Sequence, residues 1–222
     1  MSPEMLISLL LKALFQTLHM VAVGGVVGSI IGLPIGIFLA TSNRGELFPA
    51  PLTNKIVGAI VNATRSTPFI ILVVAIIPFT RLVTGTSIGT AAAIVPLTIA
   101  TIPFVARLAE SAIREVDQGL IEAARAMGAT PMQIVFKVLL AEAKPGLTLA
   151  LTLTIVSLVG YSAMVGAVGG GGLGDLGIRY GYQRFMPDVM LAVVVVLIVL
   201  VQAIQSAGDS LARRFDKRSR KN

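Results

Sequence analysis

Apolar residues in this chain come in long uncharged runs, separated by short clusters of charge. A helix rises about 1.5 Å per residue, so roughly 20 apolar residues cross the ~30 Å hydrocarbon core of a bilayer. Five stretches fit that length. They run from Thr17 to Thr41, from Ile56 to Phe79, from Leu82 to Ala106, from near Pro145 within an uncharged stretch reaching Gly174, and from Val189 to Gly208. The second is the weakest, because Arg65 leaves only Ser66 to Thr80 free of charge. The pattern predicts an all-α, polytopic transmembrane bundle of five spans, with residues 1–222 forming one domain. Composition agrees: 55% of residues are hydrophobic and 13% charged, whereas a soluble domain carries about a quarter charged. A soluble globular domain is excluded.

The placement of Lys and Arg predicts orientation, since cytoplasmic loops are enriched in both. One side collects Arg44, Lys55 and Arg65, then Arg107, Arg114, Arg125, Lys137 and Lys144, then Arg213, Arg214, Lys217, Arg218, Arg220 and Lys221. The other has only Lys12, Arg81, Arg179 and Arg184. The long loop (about 107–144) and the basic tail (about 209–222) are therefore expected in the cytoplasm, with the N-terminus outside. The net charge of +7 reads as a topology anchor beside anionic lipid head groups, not as a nucleic-acid surface. Met1 to Leu18 carries Glu4 and Lys12 without a small-residue cleavage site, so it does not read as a removable signal peptide. Cysteine is absent from the sequence, which removes disulfides and thiolate metal sites from consideration.

Gly24, Gly28, Gly32 and Gly36 recur every four residues in the first span. They share one helix face, where the missing side chains allow close backbone approach. Packing within the chain is the simpler reading and a dimer seam the other. Pro34 is expected to bend this helix. His19 is the only histidine and supports neither a metal site nor a catalytic pair.

The long loop is the most informative segment. A helix is expected from about Gln118 to Met127, with Asp117 as N-cap and Gly128 at the left-handed position that ends helices. Thr130, Pro131 and Gln133 start a second through a capping box, and it continues through Ile134 and Val138 toward Ala143. Leu120, Ala123, Ala124 and Met127 form a small apolar face flanked by Glu122 and Arg125. That face serves either a partner's groove or the chain's own bundle.

Glu122-Ala123-Ala124, then Gly128 after three residues, then Val138-Leu139-Leu140 after nine more, resembles the EAA loop of ABC-importer permeases. Ala141 stands where that pattern usually has proline. Arg65 to Phe69, Ile77 to Arg81, and Gly160-Tyr161-Ser162-Ala163-Met164 with its following glycines look like the methionine-type permeases. The resemblance implies that Leu120, Glu122, Ala123, Ala124, Arg125, Met127 and Gly128 couple the chain to an ATPase. It also implies a second copy of the chain, two cytoplasmic ATPase subunits and an external methionine-binding protein. No cofactor is expected in this chain, ATP being used by the partner subunit, and no enzymatic activity of its own.

Gly169 to Gly174 satisfies a G-x-G-x-x-G search, but a dinucleotide fingerprint needs a preceding strand, and a membrane helix precedes this one. A glycine turn at the outer end of the fourth span is the better reading. The sequence lacks a P-loop. Ser162 has no histidine partner for nucleophilic chemistry and is expected to pack or hydrogen-bond between helices. Met164 and Tyr161 lie near the glycine turn, and Met164 is the candidate gate of a translocation path, since methionine adapts to an apolar thioether. Arg65, at the edge of a span, is expected to snorkel to the cytoplasmic interface or to serve the pathway. The alternatives are a permease for another small solute, a secondary transporter and an intramembrane enzyme. The second would need acids within spans, and all eleven fall in loops, tails or span edges. The third lacks a histidine partner and metal ligands.

Overall fold

The first helix, α1, runs over Pro3–Thr41, starting earlier than the expected Thr17. Ser2 caps it and Pro3 occupies the first helical position, where a missing N–H costs nothing. Neither Glu4 nor Lys12 interrupts a helix, although both interrupt an apolar run, and α1 continues through Pro34. The computed structural model describes residues 2–215. Lys217, Arg218, Arg220 and Lys221 of the expected basic tail lie outside them.

The second expected span is broken. Helix α2 (Pro51–Ser66) and helix α3 (Phe69–Ala75) meet at a bend of 100°. Thr67 is extended, with ψ of 123°, as a residue before proline prefers, and Pro68 cannot continue α2. A short helix α4 (Ile77–Thr84) ends at Gly85, whose φ is +74°. The third span therefore begins at Thr90, beyond the expected Leu82, and helix α5 (Thr90–Arg114) carries Arg107 to Arg114 as helix and not as loop. The cytoplasmic segment then folds as helix α6 (Gln118–Ala126) followed by α7 (Pro131–Ile134), a π-helical turn (Val135–Leu139) and α8 (Leu140–Glu142). Helix α9 (Lys144–Gly166) leads into the short helix α10 (Gly172–Leu176) and a second π-helical turn (Gly177–Tyr182), and helix α11 (Pro187–Phe215) ends the described chain. The four helices α1, α5, α9 and α11 are each long and apolar enough to cross a bilayer, and the bent pair α2–α3 makes a fifth crossing by composition.

The core is organised around α1 and α5. All four glycines are buried and face α5 in register: Gly24 meets Leu97, Gly28 meets Thr101, Gly32 meets Ile102 and Val105, and Gly36 meets Ala106 and Ala109. A β-carbon added at Gly32 or Gly36 would lie 2.6 Å from a backbone carbonyl oxygen. The glycine face thus packs within the chain. Residue numbers rise together on both sides, so α1 and α5 run in the same direction, as first and third crossings must. Gly208 of α11 packs on Thr152, and Leu200 and Val201 pack near Leu158 and Val159, so α9 and α11 run in opposite directions. The glycine turn closes the other end. Gly89 N–H donates to the Gly169 carbonyl at 2.9 Å, Gly172 N–H to Gln16 Oε1 at 3.0 Å, and Leu173 N–H to Thr17 Oγ1 at 2.9 Å.

Candidate functional site: a surface helix anchored to the bundle

Helix α6 forms where its caps dictate. Asp117 Oδ1 accepts from Gly119 N–H at 2.7 Å, satisfying one of the free donors at a helix start. Gly128 takes φ of +79° just past the end, a conformation that costs other residues about 1–2 kcal/mol. The capping box of the next helix is complete: Thr130 Oγ1 accepts from Gln133 N–H, and Gln133 Oε1 from Thr130 N–H. Each of these sequence expectations is met. The second helix does not run as one regular α-helix, because the π-helical turn lies inside it.

The apolar face needs one correction. Ala124 is only 4% exposed and packs inward with Ile121 against Ala40, Leu47, Ile113, Val116, Ile134, Val135 and Leu139. It seats the helix on the bundle and cannot present itself to a partner. Leu120 and Met127, at 44% and 82% exposed, project outward with Ala123, Glu122, Arg125 and Gly128. The three- and four-residue spacing of Leu120, Ala123 and Met127 places them on one side, and Ile121 and Ala124 lie on the other. The helix therefore has an anchored face and a free apolar face.

Beneath this loop lies a charged cluster that the sequence reading did not single out. Glu110 is 8% exposed and is held between two guanidinium groups, paired with Arg107 through Nη1 and with Arg114 Nε at 3.1 Å. Arg107 also donates to Asn62 Oδ1 at 3.0 Å and to the Gly58 carbonyl at 3.2 Å, both on α2. Arg114 Nη2 donates to the Leu39 carbonyl at 3.0 Å, which also accepts from Asn54 Nδ2 at 2.9 Å. Leu39 lies in the last turn of α1, where carbonyls have no partner within the helix. One buried carboxylate thus ties the ends of α1 and α5 to the middle of α2, directly beside the seat of α6. The signal was present as Arg107, Glu110 and Arg114, spaced by three and then four residues, which a helix extended past Ala106 would have revealed.

Tyr161 and Met164 lie on the same side of α9. Tyr161 is half-buried and stacks on Phe69 at the α2–α3 bend, with ring centroids 4.4 Å apart and planes 15° from parallel. Met164 is 41% exposed. Ser162 is buried and donates to the Val159 carbonyl at 2.7 Å, as expected of a packing residue. Among the described residues no group of His, Cys, Asp and Glu is arranged to hold a metal ion.

Residues 32–221 match the family model described as a binding-protein-dependent transport system inner membrane component. The chain is similar to the probable D-methionine transport system permease protein MetI of Vibrio cholerae, 58% identical over 95% of this chain and 93% of that protein. It is similar to the Escherichia coli K12 D-methionine transport system permease protein MetI, 55% identical over 73% of this chain and 75% of that one. Its fold superposes on a chain of the inward-facing MetNI methionine ABC transporter with a TM-score of 0.95, at 53% identity over 98% of this chain and all of the other. An amino acid ABC transporter crystallised with histidines shares the fold, with a TM-score of 0.76 at 21% identity. A membrane bundle with an anchored surface helix, matched over most of its length, places this chain in the family of binding-protein-dependent transport system inner membrane components, with the methionine-type permeases.

Proposed function

We propose that this chain is the membrane-spanning permease subunit of an ATP-driven ABC importer that carries methionine, in L and D forms, into the cytoplasm. It works as a homodimer with two cytoplasmic ATPase subunits and an external methionine-binding protein. The N-terminus lies outside and the long loop and tail lie in the cytoplasm. ATP is hydrolysed in the partner subunit, and this chain contributes no catalytic residue. The observation that carries the reading is the two-faced helix α6: one face seated by Ile121 and Ala124, the other presenting Leu120, Ala123 and Met127 to solvent. A small apolar face rimmed by Glu122 and Arg125 suits a groove on a cytosolic protein.

Transport then follows from differential contact between two states. Closure of the ATPase pair displaces α6. Its seat passes the motion to the ends of α1 and α5, and the Arg107 hydrogen bonds pass it to α2. The path opens alternately to the two sides, with Met164 closing over it in one of them. Methionine as substrate is supported by relatives that carry D-methionine permease names over most of their length. The test is co-purification with the ATPase, then reconstitution and comparison of ATP-dependent uptake of L-methionine, D-methionine and leucine. Uptake of the two methionines above leucine is expected. Equal uptake of all three would remove the substrate assignment, and failure to retain any ATPase would remove the importer itself.

A further inference from the structure

We propose that the bend between α2 and α3 forms a transient binding site inside the permease for a zwitterionic apolar amino acid; this rests on the reading as a methionine importer. A cavity of about 250 Å³ beside the bend is lined by Thr64, Arg65, Thr67, Phe69, Phe104 and Tyr161, among others. Several water molecules would fit in that space. Its walls carry three separate chemistries, each matched to one part of such a molecule.

The first is a cation. The Arg65 guanidinium stands over the Phe104 ring, 6.0 Å from its centroid, and makes no ion pair among the described residues. Arg65 is exposed among the described residues, and Phe104 lies about 4.5 Å along α5 from Arg107 at ~1.5 Å per residue, so the guanidinium is open to an incoming ligand. An arginine keeps its charge at any accessible pH, and beside a span that charge is best met by water or an anion. A carboxylate meets the guanidinium fork with paired hydrogen bonds.

The second is a pair of acceptors. The Thr64 hydroxyl donates to the Ile60 carbonyl at 2.9 Å and the Thr67 hydroxyl to the Ala63 carbonyl at 3.3 Å. Both residues line the cavity with their hydroxyl protons committed within α2, so toward a ligand these hydroxyls can only accept, which suits an ammonium group that only donates. The third is the stacked pair Phe69 and Tyr161, an aromatic wall against which a thioether sulfur packs favourably. One cation and two neutral acceptors bind weakly. Weak binding is what a passage site requires, since a site that holds its cargo too well stops conduction.

The experiment uses the complete permease–ATPase complex in proteoliposomes with a photoactivatable diazirine analogue of methionine, and maps the labelled peptides by mass spectrometry. Label is expected on the segment around residues 64–72 and at Tyr161. Excess methionine should displace it, and methioninol, which has the same side chain without the carboxylate, should compete at least tenfold less well. Arg65→Gln should cut labelling at least fivefold and erase that discrimination, and Arg65→Lys should restore part of both. Equal competition by methionine and methioninol in the unmodified complex overturns the site without relying on any variant. So does labelling unchanged by Arg65→Gln in a complex that still imports methionine. A complex that imports no methionine at all sinks the substrate reading and takes this site with it.

Discussion

Along the seam of α1 and α5, four glycines let two backbones touch over several turns, and every one of them is buried. Helix α2, which packs on both α1 and α5, buries only Gly58 and Val61, is held by hydrogen bonds from Arg107 and through Asn54, and then breaks at Thr67–Pro68. Both segments have span-like composition, yet their packing differs greatly. In hydrocarbon, apolar side chains gain nothing by leaving lipid for protein, so helix association depends on close backbone approach and interhelical hydrogen bonds. A dense seam is therefore the fixed part of such a bundle. A helix held at a few polar points is the part free to change its angle.

The largest expected effect comes from prising the seam open. Gly32→Leu places its β-carbon against the Ile102 carbonyl oxygen, which is backbone and cannot swing away. The loss should reach about 3 kcal/mol or more, the upper range for overpacking, read as a lowered melting temperature in detergent or as no folded protein. Melting like the unmodified chain would show that the seam is loose. Next comes the polar joint. Glu110→Ala leaves Arg107 and Arg114 without their shared partner, and breaking a buried pair costs about 3–5 kcal/mol. Partial exposure of both guanidinium groups places this variant near the low end. If α2 is held there, its backbone amides should exchange hydrogen faster while those of α1 do not.

Smaller effects separate coupling from stability. Glu122→Lys lies on the exposed side of α6 and should shift stability by no more than about 0.5 kcal/mol, yet weaken ATPase binding at least tenfold, about 1.4 kcal/mol. Retained motor binding in a pull-down, together with retained import, would remove the docking face. Pro68→Ala relaxes the bend and should slow uptake severalfold with a stability change under about 1 kcal/mol. Unchanged uptake would mean that the bend is structural only. Smallest is Met164→Ala, for which about a twofold drop in methionine transported per ATP hydrolysed is expected. If transport and coupling are both unaltered, Met164 is no gate.

Much of this was legible in the residues. The caps of α6, the capping box at Thr130 and the glycine face of α1 are local patterns whose geometry follows from a few neighbouring side chains. The bend at Thr67–Pro68 was written in the sequence too, but window hydropathy averages over it: proline reports that a helix stops, not that the chain turns by 100°. The start of α1 and the far end of α5 were misplaced for the converse reason. Charges end an apolar run without ending a helix, so Lys12 and Arg107 marked false boundaries. Ala124 could not be assigned to the inner face, because alanine is small enough to suit either side of α6. What decided it was Ile134, Val135 and Leu139, which become its neighbours only once the loop has doubled back.

Helix α1 has 39 residues, a rod about 58 Å long. It is fastened near one end through the Leu39 carbonyl and, two-thirds of the way along, through Gln16 and Thr17 to the glycine turn. Joined to α5 along the glycine seam, α1 can tilt only together with α5, as one stiff lever. A tilt of about 5° about its middle swings each tip by roughly 2.5 Å in opposite senses. Narrowing at one face of the membrane and widening at the other then become a single displacement, with no relay of small side-chain shifts needed between them.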